Sequence, residues 1–558
     1  MDLFDELVKR GINPELIKQF INTISAEEDE LDETMVEPEA EQLSNIIDDI
    51  ELPSDKEKKK VVLDLGEIET VSYYKPVTTM VVDGKDEELP DSGPRYVKEI
   101  IPEAYIPLFD FEEWNPVQRL VVEKLWKTDD NYLIATDTGT GKTAMAYVAI
   151  VKELKRIRTL GIKGKIVYIA PMKAIVNDKF HDLTKDELKD LISVEMVTGD
   201  SRELEYNPIK VQGADIIITT PEKFDSVMGK WWWKVYEWTR DIRLIIIDEV
   251  HELGSKDRGG VIDSLIARIR LFNPNIRIIA LSATVPNVEE IAKWIDAKIL
   301  KSTWRPVPLE IQIKEYDWDY YYRMLETIQD MVHAEVLEAL KRKKQSLIFI
   351  MSRRQVQTMA ENLAQTLPTD VDWEWYARKV DDIKNASLRE TLSRGIGFHH
   401  AGLSYRDRLI VEYGFRYGKF PVLLATPTLA YGVDLPAHQV IIATPFVFDG
   451  IEGWRLLDIS TIQQMMGRAG RPRYDKKGYV RILVPHRYLD ELISNLAKPR
   501  DIKSRLGDVI LESVNRLIFS KVARRKSEIM KWAYHTPVSY THLRAHETRH
   551  DLVCRLLL

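Results

Sequence analysis

Short, continuously apolar runs recur through the middle of this chain, with helical patterns between them. They are Tyr132-Leu133-Ile134-Ala135, Ile166-Val167-Tyr168-Ile169, Ile216-Ile217-Ile218, Leu244-Ile245-Ile246-Ile247 and Ile278-Ile279-Ala280-Leu281. Runs without polar alternation belong to strands buried on both faces, and strands separated by helices build a parallel sheet. After each run comes a polar or Pro-bearing motif, starting at Thr136, Pro171, Thr219, Asp248 and Ser282. In an open α/β sheet ligands bind at the C-terminal strand ends, so these motifs should gather along one edge. Leu347 to Ile350 and Val422 to Ala425 repeat the logic downstream. The pattern predicts an α/β protein with two tandem parallel-sheet lobes, residues 101–302 and 303–496.

The flanks read differently. Leu3, Leu7, Ile12, Leu16, Ile17 and Phe20 suit a short helical segment over residues 1–20, either a small docking module or a loose amphipathic end. From Ile21 to Ile50 there are 11 acidic residues and no Lys or Arg, which with the basic cluster Lys56 to Lys60 reads as an acidic disordered linker over 21–60. Without that stretch the formal net charge of −9 becomes +2, compatible with a local basic path for a polyanion. Residues 61–100 form an extension in which Val61 to Asp83 alternates in places, predicting two or three strands that lead into the first lobe. At 44% hydrophobic and 30% charged, with no apolar run of membrane-spanning length and no signal-peptide pattern in MDLFDELVKR, the chain reads as a cytoplasmic protein of prokaryotic type.

Candidate chemistry starts at TDTGTGKT, Thr136 to Thr143, a Gly-rich turn between an apolar run and a helical one. Thr138, Gly139, Thr140 and Gly141 would cradle phosphates with backbone N–H groups at a helix N-terminus, Lys142 would reach the β and γ phosphates, and the Thr143 hydroxyl would sit on Mg²⁺. The usual motif has Gly where this chain has Thr136, so the loop alone leaves a plain Gly-rich turn open. Asp248-Glu249-Val250-His251 narrows the choice: Asp248 can hold the metal, and Glu249 can take a proton from the attacking water. From the second lobe, Gln464 would orient that water or touch the γ phosphate. Arg468 and Arg471, three apart after Gly467, are expected to share a helix face and point two guanidinium groups at one phosphate.

With these motifs in this order, the chain resembles a superfamily 2 helicase of the DExH-box type, in the superkiller-like branch that includes archaeal fork-repair helicases. The resemblance covers about Phe109 to Leu517 and implies two RecA-like domains, ATP and Mg²⁺, and 3′ to 5′ movement. It makes Asn115-Pro116-Val117-Gln118 the adenine-reading motif through Gln118, and places Gly432 and Asp434, in the run Ala425 to Pro436, at the nucleotide. Phosphates of a single strand would be gripped at Pro171, Thr198, Gly199, Thr220, Pro221, Ser352, Arg353 and Thr426, without base reading. His251, Ser282 and Thr284 would couple hydrolysis to movement; His251 has no partner at metal-ligand spacing. Arg305-Pro306-Val307-Pro308-Leu309 is a linker signature of the branch, and Phe398-His399-His400-Ala401-Gly402-Leu403 belongs to its second lobe.

Asp449-Gly450 is a hairpin signal, and the branch uses a hairpin here as the wedge that splits a duplex. Phe446, Phe448 and Trp454 would then stack on the first unpaired base; an ordinary packed hairpin is the alternative. Trp231-Trp232-Trp233 with Trp238 is read as core or partner surface, away from the gripping motifs. Residues 497–536 resemble the start of a winged helix, cut short. Residues 537–558, with VSYTHLRAHET and LVCRLLL, look like translated sequencing adapter, which would make the sole cysteine, Cys554, an artefact. The expectation is a monomeric ATP-dependent motor on single-stranded and forked nucleic acid. DNA unwinding, RNA unwinding and protein remodelling without strand separation all stay open.

Overall fold

The computed structural model describes residues 76–82 and 93–537, apart from 138, 199–207, 231–238, 256–257, 284, 319–320, 433–434, 450–452, 472–473, 498–500, 520–522 and 524. The expectations for residues 1–60, the first part of the 61–100 extension, the tryptophan cluster and the adapter-like tail from Val538 therefore lie outside the described residues, as do Thr138, Gly199, Thr284 and Asp434.

Strands are numbered along the chain. The first is β1 (Pro76–Val82), and the next seven build one sheet: β2 (Asn131–Thr136), β3 (Lys165–Ile169), β4 (Val194–Val197), β5 (Ile216–Thr219), β6 (Ile242–Ile247), β7 (Arg277–Ser282) and β8 (Ala297–Ser302). Their order is β4-β5-β3-β6-β7-β2-β8, and every pairing is parallel. Strand side chains alternate between faces, so each apolar run feeds two cores. Tyr132, Ile134, Ile166, Tyr168, Leu244 and Ile246 enter one, and Leu133, Ala135, Val167, Ile169, Ile245 and Ile247 the other. That is why the runs are unbroken rather than alternating.

The second sheet contains β9 (Leu309–Tyr316), β10 (Ser346–Phe349), β11 (Ile396–His399), β12 (Val422–Ala425), β13 (Gln439–Ile442) and β16 (Gly478–Pro485), in the order β1-β9-β16-β13-β10-β12-β11. A separate antiparallel pair, β14 (Phe446–Asp449) and β15 (Gly453–Leu456), stands between β13 and β16 in sequence. Both lobes are thus α/β layers on a parallel sheet, as the apolar runs predict.

One strand departs from expectation. β1 precedes the first lobe in sequence, yet it pairs antiparallel with β9 and closes the edge of the second sheet. An uncovered strand edge is a template for wrong pairing, and PVTTMVV supplies the β-branched residues that suit covering it.

Beyond the second lobe, the helices Leu506–Phe519 and Lys526–Tyr534 return to the first and pack on the helix Gly259–Phe272. A Cβ on Gly260 would lie 2.6 Å from the Arg505 carbonyl, so this approach needs glycine. Trp532 is fully buried there and donates from its indole to the Ser264 carbonyl at 3.3 Å. Asp263 accepts from the Ser504 hydroxyl (2.5 Å) and the Arg505 amide (3.2 Å). Burial pushes its carboxyl up to about 7 against those hydrogen bonds. The folded chain therefore holds this proton at pH values where an unfolded carboxyl, near ~3.9, has lost it. The contact stabilises fully at low pH and weakens as pH rises through 7. Asp263→Asn should accordingly raise the melting temperature by a few degrees more at pH 8 than at pH 4; an equal shift at both pH values would contradict this.

Candidate nucleotide and nucleic-acid site

The loop after β2 turns on two glycines with left-handed backbone, Gly139 and Gly141, both at φ +83°. The helix Lys142–Leu160 starts directly after the second, so its first N–H groups face the loop as a phosphate cradle does. A second helix start braces the turn. Asn115 and Gln118 form a reciprocal capping box, and the Asn115 amide also donates to the Thr140 carbonyl at 2.9 Å. A Cβ on Gly141 would come within 2.3 Å of Gln118 Nε2. Gln118 is thus buried against the loop with its oxygen accepting from Asn115. Bracing is the role its contacts describe, and adenine reading stays a proposal. Thr136, where the usual motif has glycine, is buried and shares a 2.8 Å hydroxyl contact with Thr140. Lys142 donates to the carbonyls of Thr136 (2.9 Å) and Asp137 (3.2 Å), which holds its ammonium inside the loop.

β2 and β6 are neighbours of β7 on either side, so the loop and Asp248-Glu249 flank the end of β7 at Ser282. Asp248 is anchored by the Tyr168 hydroxyl to Oδ2 (2.6 Å) and by the Glu249 amide to Oδ1 (3.0 Å). Burial and the adjacent Glu249 raise its proton affinity, while Lys179, Tyr168 and Lys142 oppose the rise. Glu249 adopts φ +49°, a conformation side chains avoid, and its buried Oε2 has no hydrogen-bond partner among the described residues. The two adjoining, half-buried carboxylates of Asp248 and Glu249 form a hard, all-oxygen donor set, which fits a magnesium ion with Thr143 supplying a hydroxyl. Tyr168 and Lys179 were not found from sequence. A tyrosine within an apolar strand reads as core, and its partner just after β6 is distant along the chain.

His251 links the lobes. Its Nδ1 lies 3.3 Å from the Ala283 amide and 3.3 Å from Glu249 Oε2, and its Nε2 lies 3.3 Å from Gln464 Nε2. Burial, with help from Lys142, lowers its affinity for a second proton to about 4, so the ring is neutral at pH 7. A neutral ring has one donor and one acceptor nitrogen. If Nδ1 accepts from Ala283, then Nε2 carries the proton and Gln464 must turn its oxygen inward. If Nδ1 donates to Glu249, then Nε2 accepts from the Gln464 amide nitrogen. The two tautomers therefore differ in whether Glu249 is joined through the ring to the second lobe. Ser282 Oγ is buried beside this group without a hydrogen-bond partner among the described residues.

The two arginines are not on one helix face. The helix Ile459–Gly467 ends before them, with Arg468 as its C-cap and Gly470 at φ +85° turning the chain away. The left-handed backbone at Gly470 ends the helix that three-residue spacing implied. Arg468 donates to the Ala430 carbonyl from Nε at 3.1 Å. Arg471 is held by Asp475 (Nε to Oδ2, 2.9 Å) and by Gln345 Oε1 (2.9 Å). Gly432 ends the short helix Thr428–Gly432, which packs on the first-lobe helix Lys173–Leu183.

The proposed gripping residues sit at C-terminal strand ends of both sheets. Pro171 follows β3, Thr198 follows β4, Thr220 and Pro221 follow β5, Ser352 and Arg353 follow β10, and Thr426 follows β12. Thr198, Thr220 and Thr426 are buried, while Arg353 is exposed. The hairpin pairs Phe446 with Leu456 and Phe448 with Trp454. Phe446 is only 2% exposed, within 5.6 Å of Trp454 and 4.9 Å of Trp318 between ring centroids. It packs the root of the hairpin and cannot meet a base, which corrects the expectation for that residue. Phe448 and Trp454 are half-buried, with ring centroids 5.3 Å apart.

The DEAD/DEAH box helicase family matches residues 115–291, and the helicase conserved C-terminal domain matches residues 326–473. The chain is 35% identical over 451 residues to activating signal cointegrator 1 complex subunit 3 of Dictyostelium discoideum, covering 77% of this chain and 20% of that protein. It is 35% identical over 469 residues to the DExH-box ATP-dependent RNA helicase DExH14 of Arabidopsis thaliana, covering 80% and 21%. It is 34% identical over 447 residues to the ATP-dependent DNA helicase Hel308 of Thermoplasma acidophilum, covering 78% and 63%. The chain spans about a fifth of the first two relatives and less than two thirds of the third. No helix among the described residues is long and apolar enough to cross a membrane. A phosphate loop and DEVH in one sheet, joined through His251 to Gln464 of the other, match what these families share: the chain belongs to the superfamily 2 DExH-box helicases, in the superkiller-like branch.

Proposed function

We propose that this chain is an ATP-driven motor that moves 3′ to 5′ along single-stranded DNA and separates the duplex ahead of it. The observation that carries the reading is the His251 to Gln464 contact, since it makes the catalytic strand end of one lobe sense the position of the other. ATP would lie on the loop Gly139 to Thr143, with Lys142 leaving its loop carbonyls for the β and γ phosphates. Magnesium, when bound by Thr143 and Asp248, neutralises charge that develops on the phosphates. Glu249 would take the proton from the attacking water. Protonation of Glu249 removes the acceptor facing His251 Nδ1 and favours the tautomer in which Ala283 donates to it, so the bond to Gln464 must reverse. Hydrolysis thereby loosens and resets the lobe contact.

The threonine hydroxyls and backbone amides at the strand ends would hold phosphates without reading bases, which makes binding independent of sequence and sensitive to salt. The hairpin β14–β15 would meet the fork, with Phe448 and Trp454 as its available rings. Trp454→Ala and Phe448→Ala should each reduce unwinding by at least several-fold while single-strand-stimulated ATPase stays within about twofold. Equal loss of both activities would make the hairpin a packing element only.

A second reading, movement on RNA, is favoured by the 35% identity to a protein named as an RNA helicase. ATPase activity measured side by side with single-stranded DNA and RNA separates the two; stimulation by RNA alone overturns the DNA assignment.

A further inference from the structure

The linker joining the lobes carries Arg305, whose side chain is buried to 8% exposure. A permanent charge is kept out of water only where its donors are used. Arg305 donates from Nε to the Val307 carbonyl (2.9 Å) and from Nη2 to the carbonyls of Gly467 (2.9 Å) and Ala469 (3.0 Å). Those two carbonyls lie on either side of Arg468. From the opposite side, Ala437 donates to the Arg468 carbonyl (2.9 Å) and accepts from the Gly470 amide (2.7 Å). Three consecutive carbonyls are thereby fixed, and the turn has no slack: a Cβ on Gly470 would meet Val307 Cγ1 at 2.6 Å. The Gly478 amide ties the same layer to the Pro308 carbonyl at 2.9 Å.

We propose that Arg305 is a positioning residue for ATP hydrolysis: from the hinge, its forked guanidinium locks the backbone on both sides of Arg468 and sets where that finger arrives when the lobes close. The inference rests on reading Arg468 as an arginine finger, one of the two guanidinium groups that would meet the γ phosphate from the second lobe. Arg305 does not touch the nucleotide. Burial pulls the proton affinity of its guanidinium down, and the negative charge of Asp137 in the phosphate loop opposes that pull. Lysine keeps the charge but has no planar fork to bridge the carbonyls of residues 467 and 469.

The test uses the full chain and single-strand-stimulated ATPase. Arg305→Lys should lower kcat about 10- to 100-fold, the scale of an ångström-sized misplacement, with KM for ATP within about twofold. Added to Arg468→Ala, it should cost little more, because both variants remove one function. A residue that only stabilises the fold would impose the same further loss in either background, and that result overturns the proposal. So does an Arg305→Lys enzyme with the parent kcat while Arg468→Ala is inactive. Hydrolysis that survives Arg468→Ala overturns the finger reading itself, and the proposal with it. If Arg305→Lys does not fold, Val307→Ala loosens the same turn without disturbing a charge. It should lower kcat several-fold with the same lack of additivity, and a parent-like kcat would count against the proposal.

Discussion

Glu249→Gln should reduce single-strand-stimulated ATP hydrolysis by about 10²- to 10⁴-fold, the usual contribution of a general base, with nucleotide binding retained. The substitution preserves shape and hydrogen-bonding capacity and removes only the ability to accept a proton. Its environment favours that role. Glu249 sits in left-handed backbone as the residue before a tight helical turn, Val250–Gly254, with Oε2 buried and 3.3 Å from His251 Nδ1. Strain of this kind persists only where the surroundings enforce it, and here β6 and the amide-to-Asp248 bond do so. Hydrolysis at the parent rate in the Gln variant would remove Glu249 from the mechanism.

Arg468→Ala should lower hydrolysis by about 10³-fold or more, as loss of an arginine finger does, without a large change in melting temperature. Arg471→Ala should behave differently, since Arg471 is the ion-pair partner of Asp475, whose side chain is fully buried. Burial alone would push that carboxyl up. Hydrogen bonds from Arg471, His438 and Lys344 hold it well below the ordinary carboxylate range. Taking Arg471 away leaves a buried charge short of a partner, at a cost of about 1–3 kcal/mol. The Arg471→Ala protein should therefore melt earlier as well as hydrolyse more slowly. Adding Asp475→Asn should restore the melting temperature and leave hydrolysis low. If the double variant regains activity, Arg471 acts through stability alone.

These contrasts show where sequence was legible and where it was not. Each apolar run named from sequence lies in a central strand, because burial on both faces demands uninterrupted Ile, Val and Leu. The edge strands β4, VEMV, and β8, AKILKS, gave no such signal, since solvent on one side admits Glu and Lys. The phosphate loop and DEVH could be read because their chemistry is local in sequence. Tyr168 on Asp248 and Arg305 under Arg468 could not, since each pair meets only through the tertiary fold. Helical periodicity misplaced Arg468 and Arg471 because the left-handed turn at Gly470 outweighs the three-residue spacing. Hairpin chemistry located β14–β15 correctly, yet it could not say which aromatic faces inward. Phe446 was settled by Trp318, a residue remote in sequence.

The pairing of β1 with β9 makes the first lobe an insertion within the second. During synthesis β1 leaves the ribosome before any residue of the first sheet, and its partner emerges only after that sheet is complete. The early lobe can therefore fold as it appears, while the later one must wait to recruit a segment made at the outset. A contact so distant in sequence is slow to form, and until it does β9 presents an unpaired edge to its neighbours. The outer edge of the second sheet is therefore closed by a segment made before the first lobe, and β9 stays exposed along that edge until the two meet.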